Sequence, residues 1–258
     1  MKRWLFLAGA IAAVAIAERR WPLRRRRESD ARHVARDVAM AVMSVAATSA
    51  AQSIVLRREL QRVAGRRVFL PRTIVAFLAL DYMLWIWHHM NHVIPHLWRF
   101  HRVHHVDLDL DAATGARFHF GEMTLSVLFR WIQLRLLRPD RIALSAWQTA
   151  LLASIFFHHS NLRLPERAER MIAFVLVTPR MHGIHHSTVH GETNSNFASL
   201  LTWWDLLHGR FRFDVPQERI TIGVPAYQQI EDVTLPKIVA LPLRDTSRDW
   251  LLDQAQEL

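Results

Sequence analysis

The sequence predicts an all-α membrane protein with about four membrane helices or hairpins and a histidine-rich cap on the cytoplasmic side. Three features of the 258-residue chain predict this class: long apolar runs, arginine clusters beside them, and 16 histidines. All of the histidines except His33 fall between residues 88 and 208. A chain of this length is typical of one domain or one membrane module.

The composition excludes several kinds of site and partner. The chain contains no cysteine, which excludes disulfides, thiolate zinc sites and cysteine-ligated iron–sulfur clusters within it. The formal net charge is +10, and the arginines cluster beside apolar runs, at residues 18–33 and 57–67. Such clusters are typical of the cytoplasmic ends of membrane helices. No nucleic-acid-binding motif accompanies them, so we expect no nucleic-acid partner.

The apolar runs predict the membrane segments. Residues 38–56 carry no formal charge and are long enough to cross a hydrocarbon core of ~30 Å. Residues 69–87 form a similar run, which includes Asp81. Residues 123–137 and 142–157 are shorter and predict a helical hairpin that either crosses the membrane or dips into it.

The first apolar run, residues 4–17, has two interpretations. We expect an uncleaved anchor with its N-terminus outside, because the arginines that follow outnumber Lys2 and Arg3. The alternative is a signal peptide cleaved after Ala15-Ile16-Ala17. Counting positive charges places residues 18–36 in the cytoplasm. We therefore expect an integral membrane protein, of a bacterial-type inner membrane, with its active site facing the cytoplasm.

The spacing of the histidines predicts a metal site. A pair at i, i+4 and two His-x-x-His-His clusters each place their rings on one face of a helix. They are His88 and His92, then His101, His104 and His105, then His182, His185 and His186. Imidazoles packed this closely leave donors and acceptors unmatched unless a cation organises them. Imidazole binds iron, zinc and copper, and eight ligands exceed one shell that keeps an open position, so we expect two metals.

The position of the histidines indicates an apolar substrate. His88 follows one apolar run and His158 and His159 end another, which makes the site accessible to a lipid in the bilayer. Asp81 lies seven residues before His88, on roughly the same helix face. A carboxylate in a membrane helix is by default a functional hypothesis, and we expect it to orient a ligand histidine. The alternative is a helix-end residue that reaches the interface.

These motifs together resemble the fatty acid hydroxylase/sterol desaturase superfamily of membrane di-iron proteins. The resemblance covers roughly residues 70–212, with the motifs in the family order. The matching stretches are DYMLWIWHHMNHVIPHLWRFHRVHH (81–105), AATGARFHFGE (112–122), FFHHSNLRLP (156–165), VTPRMHGIHHS (177–187) and NSNFASLLTWWDLLHGRF (194–211). The sequence departs from the family at His89 and Gly183, where arginine is common, and at His208, where phenylalanine is common.

The resemblance implies two irons that use O2 to hydroxylate or desaturate a lipid such as a fatty acyl chain or a sterol. The implied metal ligands are His88, His92, His101, His104, His105, His159, His182, His185 and His186. His119 and Glu122 are implied as further candidates for the catalytic site, beside Asp81, and Asn196 and Asp205 as braces of the cap. Zinc is not excluded by nitrogen ligands alone.

Turnover of such an enzyme needs two electrons from outside the chain. The sequence has no cysteine and no Gly-x-Gly-x-x-Gly fingerprint, so we expect an external reductase, ferredoxin or cytochrome as partner. The expected organisation is an N-terminal anchor (1–67), a fatty acid hydroxylase-like catalytic module (68–212) and a cytoplasmic tail packed on the cap (213–258). Two alternatives remain at this stage: a membrane di-zinc hydrolase with Glu122 as base, and a non-enzymatic metal- or haem-binding membrane protein.

Overall fold

The computed structural model describes residues 2–250, and these residues form an all-helical fold without a β-strand. The predicted all-α class is confirmed. The α-helices of the described residues are α1 (Lys2–Arg20), α2 (Asp30–Val55), α3 (Arg57–Ala64), α4 (Leu70–Val93), α5 (Pro95–His105), α6 (Phe120–Leu137), α7 (Arg141–His159), α8 (Glu166–Ile172), α9 (Pro179–His185), α10 (His190–Thr193), α11 (Trp203–Leu207) and α12 (Leu235–Ala240). Short 3-10 turns lie at Thr114–Ala116, Gln217–Arg219, Pro225–Tyr227, Ile230–Val233 and Leu241–Leu243.

Two of the described helices, α2 and α4, are long and apolar enough to cross a membrane. Only 11% of the most apolar window of α2 and 28% of that of α4 is buried in protein, which distinguishes them from core helices of a soluble domain. Val42 and Ile54 on α2, for example, are 63% and 81% exposed. A belt of exposed apolar side chains of this kind indicates a membrane protein. The other predicted segments form helices α1, α6 and α7, which do not meet the same criteria.

Helices α6 and α7 follow each other as predicted, joined by residues 138–140, but α6 packs mainly on α2 and α7 mainly on α4, so they do not form a closely packed hairpin. Arg138 ends α6 in the left-handed conformation, with φ of 47°. The carboxylate of Asp140 caps α7, accepting hydrogen bonds from the backbone N–H groups of Ile142 (2.8 Å) and Ala143 (2.9 Å). Asp140 also accepts a hydrogen bond from the Thr73 hydroxyl, which ties this turn to the start of α4.

The long helices pack so that the histidine-bearing ends come together. Helix α4 contacts α5, α6 and α7, and α2 lies along α6. Pro95, at the first position of α5, breaks the chain after α4 and redirects it. Trp147 and Leu80 fill the core between α4 and α7 and are fully buried.

The segment after residue 213 packs onto α5 through Arg102. The buried Arg102 guanidinium donates hydrogen bonds to the carbonyl oxygens of Leu241 (2.7 Å) and Arg244 (2.6 Å), and to the Asp249 carboxylate (2.7 Å). Trp98 donates to the same carboxylate at 2.9 Å. These bonds fix the outer face of the helix that carries three of the clustered histidines.

A buried charged network holds the loop that follows α5. Asp107 pairs with Arg117 (2.8 Å) and Arg36 (3.1 Å), and His33 on α2 contacts its carboxylate at 3.0 Å. The network therefore ties α2 to the chain immediately after His105. The acidic pattern of residues 107–111 played no part in the sequence prediction.

Candidate metal centre

The nine histidines implied as ligands converge at one place and form two adjacent groups. In each group, the possible ligand atoms lie within 4.8 Å of one another. The first group, hereafter the five-histidine group, contains His88, His92, His101, His105 and His185. The second, the four-histidine group, contains His104, His159, His182 and His186. The rings of His105 and His186 stack at 4.3 Å between centroids, so the two groups share a wall.

The five-histidine group presents facing lone pairs. His88 donates its Nδ1 proton to the carbonyl oxygen of Phe197 (2.6 Å), and His185 donates its Nδ1 proton to that of Ser195 (2.8 Å). The Nε2 atoms of these neutral rings are therefore unprotonated, yet they lie 3.1 Å apart. Two lone pairs this close repel each other unless a cation lies between them.

The four-histidine group repeats the same arrangement. His104 and His159 donate their Nδ1 protons to the carbonyl oxygens of Arg117 (3.0 Å) and Ile155 (2.8 Å). Their Nε2 atoms are 3.0 Å apart, and the Nε2 of His182 is 2.8 Å from that of His159. Backbone carbonyls thus select the tautomer of two rings in each group, as is usual for metal-bound histidines.

Burial keeps these rings neutral. Burial, followed by the charge of neighbouring imidazoles, holds the pKa values of His104, His105, His182 and His186 well below the ordinary value of 6.5. Burial also lowers the pKa of His185 to about 3. Neutral imidazole is the form that binds a metal.

Unpartnered nitrogens also fit a metal centre. His105 has no hydrogen-bond partner on either ring nitrogen, and Nε2 of His92 has none either, although these atoms are buried. Buried polar atoms without partners are rare and need an explanation. A cation in the five-histidine group would bind Nε2 of His92 and one nitrogen of His105. Together with the facing Nε2 atoms of the four-histidine group, the residues present fit two metal ions.

The segment that follows α10 braces the centre. Ser195 and Phe197 supply the carbonyl oxygens for His185 and His88. Asp205 holds this segment by accepting hydrogen bonds from the backbone N–H of Phe197 (2.9 Å) and from Trp85 Nε1 (2.7 Å). Burial raises the pKa of Asp205 to about 6.

Asn196 performs a similar task from a left-handed conformation, with φ of 52°. Its amide donates to the carbonyl oxygens of Met181 (3.0 Å) and Arg212 (2.8 Å). Met181 precedes His182 on α9, so this side chain connects the bracing segment to a histidine-bearing helix.

Glu122 lies beside the five-histidine group, where its carboxylate accepts the Nδ1 proton of His101 at 3.0 Å. Its other oxygen, Oε2, is buried without a partner. Glu122 therefore fixes the ring of His101 and leaves one oxygen free beside the centre.

The structure does not bring His119 or Asp81 to either group. His119 caps α6 by accepting a hydrogen bond from the Gly121 N–H (3.0 Å), and its Nε2 contacts the Val239 carbonyl oxygen at 3.2 Å. The Asp81 carboxylate accepts hydrogen bonds from three donors. They are Trp147 Nε1 (3.2 Å), Trp204 Nε1 (2.7 Å) and the Leu201 N–H (3.2 Å). Both side chains brace helices instead of touching the clustered histidines.

Several other histidines between residues 88 and 208 lie outside the two groups. His89 and His208 stack on the ring of Trp85, at 5.3 and 4.2 Å between centroids. His158 is buried against His182 at 4.2 Å. His96 is exposed on α5.

A cavity of about 220 Å³ opens beside the two groups, between α2, α4, α6 and α7. Six histidines line it, among them His88, His101 and His104. Leu84, Trp87 and other apolar side chains form much of the rest. The centre is therefore reached from among the apolar helices.

A third group of candidate ligands, His33, Asp37 and Asp111, lies apart from this cavity. Its carboxylates are already neutralised, because Asp37 pairs with Arg117 at 3.2 Å and Asp111 with Arg26 and His33. We assign this group to the ion-pair network behind α5.

The fold and the site define a helical membrane protein with an all-histidine, two-part candidate metal centre. A sequence model of the fatty acid hydroxylase family matches residues 73–210, more than half of the chain. The chain therefore belongs to the fatty acid hydroxylase family, as its motifs predicted. No solved structure matches it significantly.

Curated relatives of the chain are lipid hydroxylases and monooxygenases. An ornithine lipid hydroxylase of Rhizobium tropici is 29% identical over 154 residues, which are 59% of this chain and 45% of that protein. A cholesterol 25-hydroxylase of Mus musculus is 26% identical, over 55% of this chain and 47% of that protein. An alkylglycerol monooxygenase of Xenopus tropicalis is 28% identical, over 58% of this chain and 32% of that protein. The chain spans about a third to a half of the length of these three relatives.

Proposed function

We propose that this protein is a membrane-bound di-iron oxygenase that hydroxylates a lipid with O2 and two electrons from an external donor. The observation that carries the proposal is the pair of facing, unprotonated Nε2 atoms in each histidine group, at 3.1 Å and 3.0 Å. The names of the relatives support lipid hydroxylation.

The number of ligands in the five-histidine group favours iron over tetrahedral zinc. That group offers five imidazoles, one more than a structural zinc site uses. Iron accepts more than four ligands and binds imidazole well.

When bound, the two irons would supply the O2 chemistry that removes hydrogen from an unactivated C–H bond. The protein contributes by orienting ligands and excluding water. Backbone carbonyls and Glu122 hold the Nδ1 protons, which directs the Nε2 atoms of the bonded rings inward. Phe118 stacks on His104 at 4.4 Å, and Phe197 lies edge-on to His88 at 6.0 Å, so aromatic side chains shield both groups.

The electron donor would dock at a basic surface behind α9. Arg25, Arg27 and Arg163 are exposed around a cavity of about 710 Å³ there. Arg24, which lines the same cavity, touches α9 between two clustered histidines. A basic surface of this kind attracts an acidic redox partner, and we place it, with the metal centre, on the cytoplasmic side.

Metal content and lipid composition together test the proposal. The full chain is expressed in iron-supplemented cells, purified in detergent and examined by elemental analysis, and the cell lipids are compared by mass spectrometry. We expect about two irons per chain, and a lipid that gains one oxygen atom. In His185→Ala both the product and part of the iron should be lost.

The matched control is His96→Ala, which changes an exposed histidine on α5 and should leave iron and product unchanged. Tightly bound zinc without iron, together with no oxidised lipid, would overturn the proposal. That result would favour a metal-dependent hydrolase.

A further inference from the structure

Arg130 is a solitary cation in the cavity beside the metal centre. Its guanidinium lies over the ring of Trp147, 4.3 Å from the centroid, and its Nη1 is buried without a hydrogen-bond partner. No ion pair within residues 2–250 involves it, whereas Arg135, five residues further along α6, pairs with Glu59 at 3.4 Å. Arg130 therefore differs from its neighbour in lacking a compensating charge.

An unpaired guanidinium among apolar helices is energetically costly. Arginine remains protonated in proteins, so the charge is not removed by deprotonation. Charged groups at such positions usually face a cavity or a ligand and mark a functional site. The aromatic face of Trp147 compensates only part of the lost hydration.

The cavity connects Arg130 to the metal centre. Glu122 and Arg130 both line it and lie on the same helix. Their separation of eight residues corresponds to a rise of ~12 Å along α6. Between them the wall is mainly apolar, with Leu84 and Val127, while Thr48 and Gln52 add polar atoms to the lining. The cavity thus combines a largely apolar lining with one cation, Arg130, and with several of the clustered histidines.

We propose that Arg130 binds an anionic group, a carboxylate or a phosphate, of the lipid whose chain extends to the histidines. The inference rests on the proposed function, since it names the chemical class of its substrate. Arginine binds both oxyanions through paired N–H donors, and such charge-assisted bonds are strong in an apolar setting. The anion supplies the negative counter-charge that Arg130 lacks within the described part of the chain.

Fatty-acid binding tests the proposal without turnover. The detergent-purified full chain is titrated with 9,10-dibromostearate, with its methyl ester and with a brominated alkyl phosphate of similar length, and quenching of tryptophan fluorescence is followed. Trp87 lines the cavity, so Trp87→Phe identifies the signal from this site. We expect both anions to bind at least about tenfold more tightly than the ester, a difference of about 1.4 kcal/mol.

Arg130→Met retains the aliphatic contact with Trp147 and should abolish the preference while leaving ester binding intact. Arg130→Lys keeps the positive charge but not the paired N–H donors of the guanidinium, and it should retain part of the preference for the anions. Arg135→Met is the control and should behave as the wild type. Equal binding of acid and ester by the wild type, or an undiminished preference in Arg130→Met, would overturn the inference. Neither result depends on iron or on oxidised lipid, so failure here is distinguishable from failure of the oxygenase proposal.

Discussion

The guanidinium of Arg24 lies against the backbone of Gly183, the residue that follows His182 on α9. Arg24 donates to Gln217 Oε1 at 2.6 Å and to the Pro179 carbonyl oxygen at 3.4 Å. A Cβ on Gly183 would overlap its Nη1 and lie 3.0 Å from its Cζ. Glycine at position 183 therefore permits this close approach. An arginine from the N-terminal cluster thus supports the helix that carries His182 and His185.

This contact predicts that the effects of substituting Gly183 and Arg24 on the stability of the protein are not additive. Gly183→Ala should displace Arg24 and destabilise the protein by about 1–3 kcal/mol, the usual cost of overpacking. In an Arg24→Ala background the same change should cost almost nothing, because the space is free. Thermal unfolding of the four proteins in detergent measures this coupling. Additive effects of the two changes would show that the contact is unimportant.

Two substitutions of Glu122 test whether its carboxylate orients the His101 ring or acts as a catalytic base. Glu122→Gln keeps an oxygen that accepts the His101 proton, so we expect metal content to be retained and activity to fall only modestly. Glu122→Ala removes the acceptor and should reduce metal affinity or activity by about 10- to 100-fold. Metal titration and lipid product measured on both variants check this order. Abolished activity in Glu122→Gln at full metal content would indicate that the carboxylate acts as a base instead.

The raised pKa of Asp205 predicts how the free energy of unfolding changes with pH. Its folded pKa, about 6, lies above the ordinary value of 3.8 because of burial. A carboxyl shifted in this direction contributes stability that is fully present below pH 3.8 and is lost as the pH rises through about 6. The stability of the wild type relative to Asp205→Asn should thus decrease over this interval by up to about 3 kcal/mol. Melting curves of the two proteins between pH 4 and pH 7 test this prediction. A difference in stability that does not change with pH would contradict it.

The sequence identified the clustered histidines because their helical spacing is local information. Contacts between distant segments were harder to foresee. Asp81 shares a helix face with His88, yet Trp147 and Trp204 approach it from other helices and take its carboxylate. His119 matched a family histidine, but it precedes α6 and therefore caps that helix. The carbonyl oxygens of Ser195 and Phe197 belong to the backbone, so no pattern of side chains in the sequence indicates that they contact His185 and His88.

The proposed docking of the electron donor on the basic surface predicts that substitutions there reduce electron delivery without changing metal binding. Reversing charge with Arg25→Glu and Arg163→Glu should reduce product formation in cells, because an acidic donor would be repelled. Iron content should not change, since neither residue lies among the clustered histidines. Lipid product and iron are compared with those of Arg67→Glu, an exposed arginine outside this cavity. Normal product formation in the double variant would place the docking site elsewhere.

The three hydrogen bonds to Asp81 predict a structural effect of its substitution. Asp81→Ala leaves two indole N–H groups and one backbone N–H without their acceptor, and each buried unpaired donor costs about 1–3 kcal/mol. We expect a clearly lower melting temperature, but unchanged iron per folded chain, because the carboxylate touches none of the clustered histidines. Asp81→Asn retains one acceptor oxygen and should lie between the wild type and Asp81→Ala. If instead Asp81→Asn lost iron while melting like the wild type, Asp81 would act on the metal centre and not on the packing of α4, α7 and α11.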